Sequence, residues 1–270
     1  MTSSTDTVKP IGSFLQTDAD GFIVNTTSPE KIQRAWLPAV EMVKDAYKQH
    51  FGEHLHSVYV RGSVVKGEAI DNISDIDSFA VVTLSYDNID TSWSKDFVKE
   101  LIGQFPFIVG VEIGAIPLEE LKDHKGDRIM IKTQSICVYG ENLADTLPPL
   151  KPGIETAQHI KGIEREINKT KEWLQEDRTD EEIKRRCTWI MKRIIRSGFE
   201  LVMERSQKYT RDLYPCYEGF AEYYPEKKEE MYEVLRLAIE PTSDKKEILM
   251  VLDNLGAWLV GEISRVFKSS

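Results

Sequence analysis

The sequence predicts a chain in two parts, an α/β half up to about residue 150 and an all-helical half beyond it. Three observations carry that division. Short β-branched apolar runs alternate with amphipathic stretches as far as Gly140. The segment Leu147-Pro148-Pro149-Leu150-Lys151-Pro152-Gly153 can continue neither a helix nor a central strand. After it, every apolar repeat has helical spacing. The expected domains are therefore 1–150 and 151–270.

The first ten residues are polar. Phe14–Thr17 and Phe22–Val24 flank Asp18-Ala19-Asp20-Gly21, which reads as a hairpin turn. Ser28-Pro29 reads as a helix start, and Ile32, Ala35, Trp36, Ala39, Val40, Val43 and Tyr47 carry one apolar face to about His50, with a kink expected at Pro38. Strand character follows in Val58–Val60, Ile76–Leu84 and Phe107–Ile113, with a helix over Ser94–Phe105 and a last strand over Ser135–Tyr139. In the second half, helices are expected over Ala157–Leu174, from an N-cap at Asp180 through Leu201, over Glu226–Ile239 and over Asp244–Phe267.

Composition narrows the function. The chain has 270 residues with 35 Lys+Arg against 45 Asp+Glu, a net charge of −10 that argues against nucleic acid or an anionic membrane as partner. No apolar run is long enough to span a bilayer and the N-terminus lacks signal-peptide character, so a cytoplasmic protein is expected. Cys137, Cys187 and Cys216 fit neither a disulfide framework nor a zinc site and read as reduced thiols. The five histidines show no ligand spacing and read as surface residues.

The chemistry concentrates in Val58-Tyr59-Val60-Arg61-Gly62-Ser63, a loop, and then Ser74-Asp75-Ile76-Asp77. A strand ending in Gly62-Ser63 lets backbone N–H groups approach an anion, and Ser63 adds a hydroxyl. After eleven intervening residues, Asp75 and Asp77 open the next strand on one face, with Ile76 turned to the other. Such a pair is either a solvated strand end or a seat for a hard divalent cation held against a phosphate, magnesium being the natural one. Glu112 stands alone in the apolar run Phe107–Gly114; a carboxylate buried there without a partner costs several kcal/mol, which favours a functional role over a water-facing strand end.

This Gly-Ser-x11-Asp-x-Asp arrangement, with apolar residues before Gly62 and after Asp77, resembles the signature of the polymerase-β-like nucleotidyltransferase superfamily. The two-part layout is similar to that of the antibiotic adenylyltransferases for kanamycin and streptomycin/spectinomycin. The resemblance implies a nucleotidyltransferase fold, a short mixed sheet with flanking helices, followed by a helical bundle. It also implies magnesium on Asp75 and Asp77, the phosphates of ATP or another triphosphate on Gly62 and Ser63, and nucleotide contact from Ser74, whose alternative is a turn-capping serine. It assigns Glu112 as the base that deprotonates the acceptor hydroxyl, with a magnesium ligand as the other role.

Two signals lie in the helical half. Arg185, Trp189, Lys192 and Arg196 form one stripe, read either as a triphosphate-holding face led by Lys192 or as an ordinary solvated face. Tyr209–Tyr224 reads as a tyrosine-rich loop, either an acceptor-pocket wall or a packed connection. Three functions compete: transfer of AMP to a small hydroxylated acceptor such as an aminoglycoside, a toxin–antitoxin type regulator that binds or adenylylates a partner protein, and a nucleotide-binding module without catalysis. The length of the chain disfavours the second, and the set Asp75, Asp77 and Glu112 disfavours the third.

Overall fold

The computed structural model describes Val8–Phe267. It divides into two compact units: one spans Ile23–Leu150, and the other joins the chain up to Phe22 to the chain from Lys151 onward. The first domain expected over 1–150 thus begins at Ile23. The reason is backbone pairing: Leu15 N–H donates to the Tyr209 carbonyl, and Thr210 Oγ1 donates to the Ser13 carbonyl. Asp18–Gly21 forms the expected turn, with Asp18 N–H donating to the Phe22 carbonyl at 2.9 Å and Phe22 N–H to Asp18 Oδ1, while Leu15 pairs in an isolated bridge with Tyr209.

The Ile23–Leu150 unit carries four strands, β1 Leu55–Arg61, β2 Ile76–Val82, β3 Val111–Pro117 and β4 Ser135–Gly140. Their order is β3-β2-β1-β4, with β2 parallel to β3 and the other two pairs antiparallel, so the sheet is mixed. The helices are α1 Leu37–Phe51, α2 Ser63–Lys66, α3 Ser94–Gln104 and α4 Lys125–Gln134. Only a 3-10 turn follows Ser28, and α1 starts at Leu37, because Pro38 has no N–H and is tolerated in a first turn rather than inside a helix.

Strand alternation sorts the sheet into two faces. Val58, Val60, Ile76, Ala80 and Val82 join Trp36, Val40, Val43 and Tyr47 in one core. Tyr59, Phe79, Val81 and Ile116 join Leu121 of the 3-10 turn Glu119–Lys122 and Ile131 of α4 in the other. The strand expected over Phe107–Ile113 is displaced to Val111–Pro117: the parallel ladder with β2 opens at Ile76 and Val111, while Phe107 and Val109 bond the loop at Asn72 and Ser74. The helix α4 carries no signal that the strand and helix periods above singled out.

The helical unit contains α5 Ile163–Trp173, α6 Asp180–Glu200, α7 Met203–Ser206, α8 Leu213–Tyr223, α9 Lys228–Ile239, α10 Lys245–Val251 and α11 Ala257–Phe267. The cap of α6 is Thr179 rather than Asp180, in a reciprocal capping box with Glu182. The tyrosine-rich segment read as a loop is mostly the helix α8. The last helix is interrupted by a π turn at Leu252–Gly256. His159 departs from the surface expectation: it is buried, and its Nδ1 lies 2.9 Å from Glu200 Oε1. Burial lowers its pKa below the ordinary imidazole value, against the pull of Glu200. Cys187 and Cys216 are buried free thiols, and Cys137 is a partly exposed one. Among the described residues no helix is long and apolar enough to cross a membrane.

Candidate active site

Arg61, Gly62, Asp77 and Glu112 meet at one end of the sheet, on the Tyr59/Phe79 face. β1 is a run of buried apolar residues up to Arg61, and Gly62 then turns the chain into the short helix α2. Gly62 has φ 80° and ψ −156°, a conformation open essentially to glycine. It also has no room for a side chain, since a Cβ there would stand 2.1 Å from Asp77 Oδ2. The strand-end backbone and the second aspartate of the Asp-x-Asp pair are therefore in direct contact. Ser63 opens α2, and its carbonyl accepts from Glu68 N–H at 2.9 Å.

Asp75 is exposed one residue ahead of β2, where Val109 N–H donates to the Ser74 carbonyl and Ile76 N–H to the Gly110 carbonyl. Ser74 Oγ accepts from Ile70 N–H at 2.9 Å, so this hydroxyl caps the loop as the turn-capping reading requires and keeps its own proton for a further bond. Asp77 is Arg61's partner in the β1–β2 register and Glu112's in the β2–β3 register. Three charged residues consequently lie abreast in one row across β1, β2 and β3.

Arg61 Nη2 binds Asp77 Oδ1 at 3.0 Å and Glu112 Oε2 at 2.5 Å. The expected burial of Glu112 is not found: its side chain is 58% exposed and ion-paired, because it points to the solvent-facing end of the sheet while Val111 and Ile113 turn to the opposite core. Its backbone is fixed from below, where Ser78 Oγ donates to the Glu112 carbonyl at 2.7 Å and contacts Tyr47 Oη at 3.1 Å. The hydroxyl of Tyr47 also accepts from Gly114 N–H. Burial raises the Asp77 carboxyl to about 6, with Glu112 adding to the rise and Arg61 opposing it.

Arg61 escaped the sequence analysis. The available signal was a cation closing an otherwise apolar strand directly before Gly62-Ser63, but its carboxylate partners depend on cross-strand register.

The donor set is compatible with magnesium. Asp75 and Asp77 offer only carboxylate oxygens, and magnesium commonly takes one or two of these and completes its shell with water and substrate phosphate. Among the described residues no three His, Cys, Asp or Glu side chains form a ready-made metal cage. The upward shift of Asp77 comes first from burial and then from the neighbouring Glu112 carboxylate, and a hard cation bound at Asp77 would favour its ionised form.

Lys192 lies on α6 in the helical unit, half-buried, its ammonium lowered from the ordinary lysine value by burial and then by Arg196. In the same stripe Arg185 is exposed, Arg196 Nε donates to the Arg211 carbonyl, and the guanidinium groups of Arg186 and Arg193 lie 4.9 and 4.8 Å from the centre of the Trp189 ring. Two members of the stripe thus have local partners.

One solved structure to which the chain is similar is a spectinomycin adenyltransferase. This protein, AAD(9) from Enterococcus faecialis, was crystallised with ATP and spectinomycin; identity is 15%, the TM-score is 0.49, and the match covers 84% of this chain and 99% of that one. No family model and no curated protein sequence matches the chain.

Proposed function

We propose that the protein is a magnesium-dependent nucleotidyltransferase that moves AMP from ATP to a hydroxyl of a small acceptor of aminoglycoside type. The observation that carries this reading is the contact between Gly62 and Asp77, which sets an open strand-end backbone against a strand that bears Asp77 and is preceded by Asp75. A phosphate chain lying along Gly62-Ser63 then reaches backbone N–H donors and the Ser63 hydroxyl beside those carboxylates. Asp75 and Asp77 would hold magnesium, which supplies charge neutralisation at the phosphate oxygens. Ser74 still has a proton to donate to the nucleotide.

Glu112 takes the proton of the acceptor hydroxyl, whose oxygen forms a bond to the α-phosphorus while the bond to the pyrophosphate oxygen breaks. Its exposure leaves room for an acceptor to approach. Three free cysteines fit a reducing compartment, as the cytoplasm is.

The test is incubation with magnesium and each labelled nucleoside triphosphate, with and without a panel of aminoglycosides. Pyrophosphate release, label on an acceptor and loss of both on chelation are expected. Absence of both pyrophosphate release and magnesium-dependent nucleotide binding across the panel refutes the reading; label on a co-purifying protein replaces the small acceptor with a protein one.

A further inference from the structure

The row Glu112–Asp77–Arg61 raises a question that the transfer reaction leaves open, namely what orients Glu112. Its own strand does little, because the positions two before and two after it are Gly110 and Gly114, which have no side chains to pack against it. Its backbone is pinned through Ser78 and Tyr47, yet the carboxylate beyond is more than half exposed. Among the described residues its ion pair is with Arg61. A single guanidinium nitrogen donates to Glu112 and to Asp77, and a planar guanidinium holds two acceptors in a fixed relation more tightly than a flexible ammonium does.

We infer that Arg61 is a positioning residue that holds the Glu112 carboxylate beside Asp77 at the solvent-facing end of the sheet. The inference rests on the nucleotidyl-transfer reading for its kinetic consequence but on geometry alone for the orientation of Glu112. The Asp77 and Glu112 carboxyls, on neighbouring parallel strands in register, share a hydrogen bond when one is protonated and repel each other when both are ionised; Arg61, bound to both, then holds them in a defined arrangement. Without Arg61 the Glu112 side chain is free to turn away into solvent, and the acceptor proton loses a base at a fixed place.

The test combines kinetics with a structure. Arg61→Gln should lower kcat by about 10- to 100-fold through lost orientation. The affinity for a non-hydrolysable ATP analogue with magnesium should stay within about threefold of wild type, less than 1 kcal/mol. Arg61→Lys should recover part of the rate, and Arg61→Gln combined with Glu112→Gln should be no slower than Glu112→Gln alone, since both changes disable one group. A crystal structure of metal-free Arg61→Gln should show the Glu112 carboxylate turned away from Asp77.

Multiplicative losses in the double variant overturn the inference, as does a loss of nucleotide affinity of about tenfold or more, which would make Arg61 a phosphate ligand. If the wild-type protein transfers nothing, the transfer reading fails on its own, and the crystal comparison decides the positioning: an unmoved Glu112 refutes it.

Discussion

Substituting Gly62 by alanine probes the closest contact of the site. The backbone there, at φ 80° and ψ −156°, is strained for any residue with a Cβ, which costs about 1–3 kcal/mol. The new methyl carbon would stand 2.1 Å from Asp77 Oδ2, where real contacts begin near 3.0 Å, so something must move. If Asp77 rotates, it leaves its rotamer at a cost of about 0.5–1.5 kcal/mol and breaks its contact with Arg61. Gly62→Ala should therefore destabilise the Ile23–Leu150 unit by about 2–4 kcal/mol and reduce nucleotide transfer by about 100-fold or more. Urea unfolding followed by circular dichroism measures the first and pyrophosphate release the second. Gly103→Ala is the control: that glycine is exposed on α3 with nothing near its Cβ position, and the change should stabilise by about 0.5–1 kcal/mol. Unfolding of Gly62→Ala within about 0.5 kcal/mol of wild type, with transfer retained, would refute the argument from contact.

Three further outcomes are expected. Asp75→Asn and Asp77→Asn should each abolish transfer while leaving the circular dichroism spectrum unchanged, because each removes one charged oxygen donor; activity within about tenfold of wild type in both excludes them as metal ligands. Asp77 has its carboxyl raised to about 6 in the folded protein, so the native state holds a proton that the unfolded chain releases near its ordinary value. Between those values stability should fall as pH rises, while kcat/KM, which needs the ionised form, should climb and level off above about 6; a flat profile from pH 5 to 7 counts against this. In the helical unit, Glu200 accepts from the N–H groups of Gln158, His159 and Ile160 at 2.7–2.9 Å, so Glu200→Ala should cost about 3–5 kcal/mol in urea unfolding; a cost below about 1 kcal/mol shows that the turn at 158–160 finds other partners.

Local patterns account for what could be read in advance. The helix α3 was legible because Phe97, Val98, Leu101 and Ile102 repeat at helical spacing, and β1, β2 and β4 were legible as β-branched runs. The misread elements depended on distant partners. β3 lies four residues beyond the expected start because its ladder with β2 fixes where pairing begins, and α8 turned out helical where tyrosine content suggested a loop. His159 is buried because Glu200, 41 residues away, supplies its partner.

At the site, the sequence by itself determined the glycine at a strand end and the acidic residue Asp77 near the start of the next strand. It also determined the change of period near residue 150, which survives as the start of the helical unit's longer segment at Lys151. The tertiary structure alone decided that Asp77 packs on Gly62, that Glu112 is exposed, and that Arg61 joins it from 51 residues away. The physical reason is register: side-chain direction within a strand follows from the backbone's own two-residue repeat, whereas which residues stand abreast is set by pairing between strands, and a shift of one residue would have sent Arg61 to the opposite face.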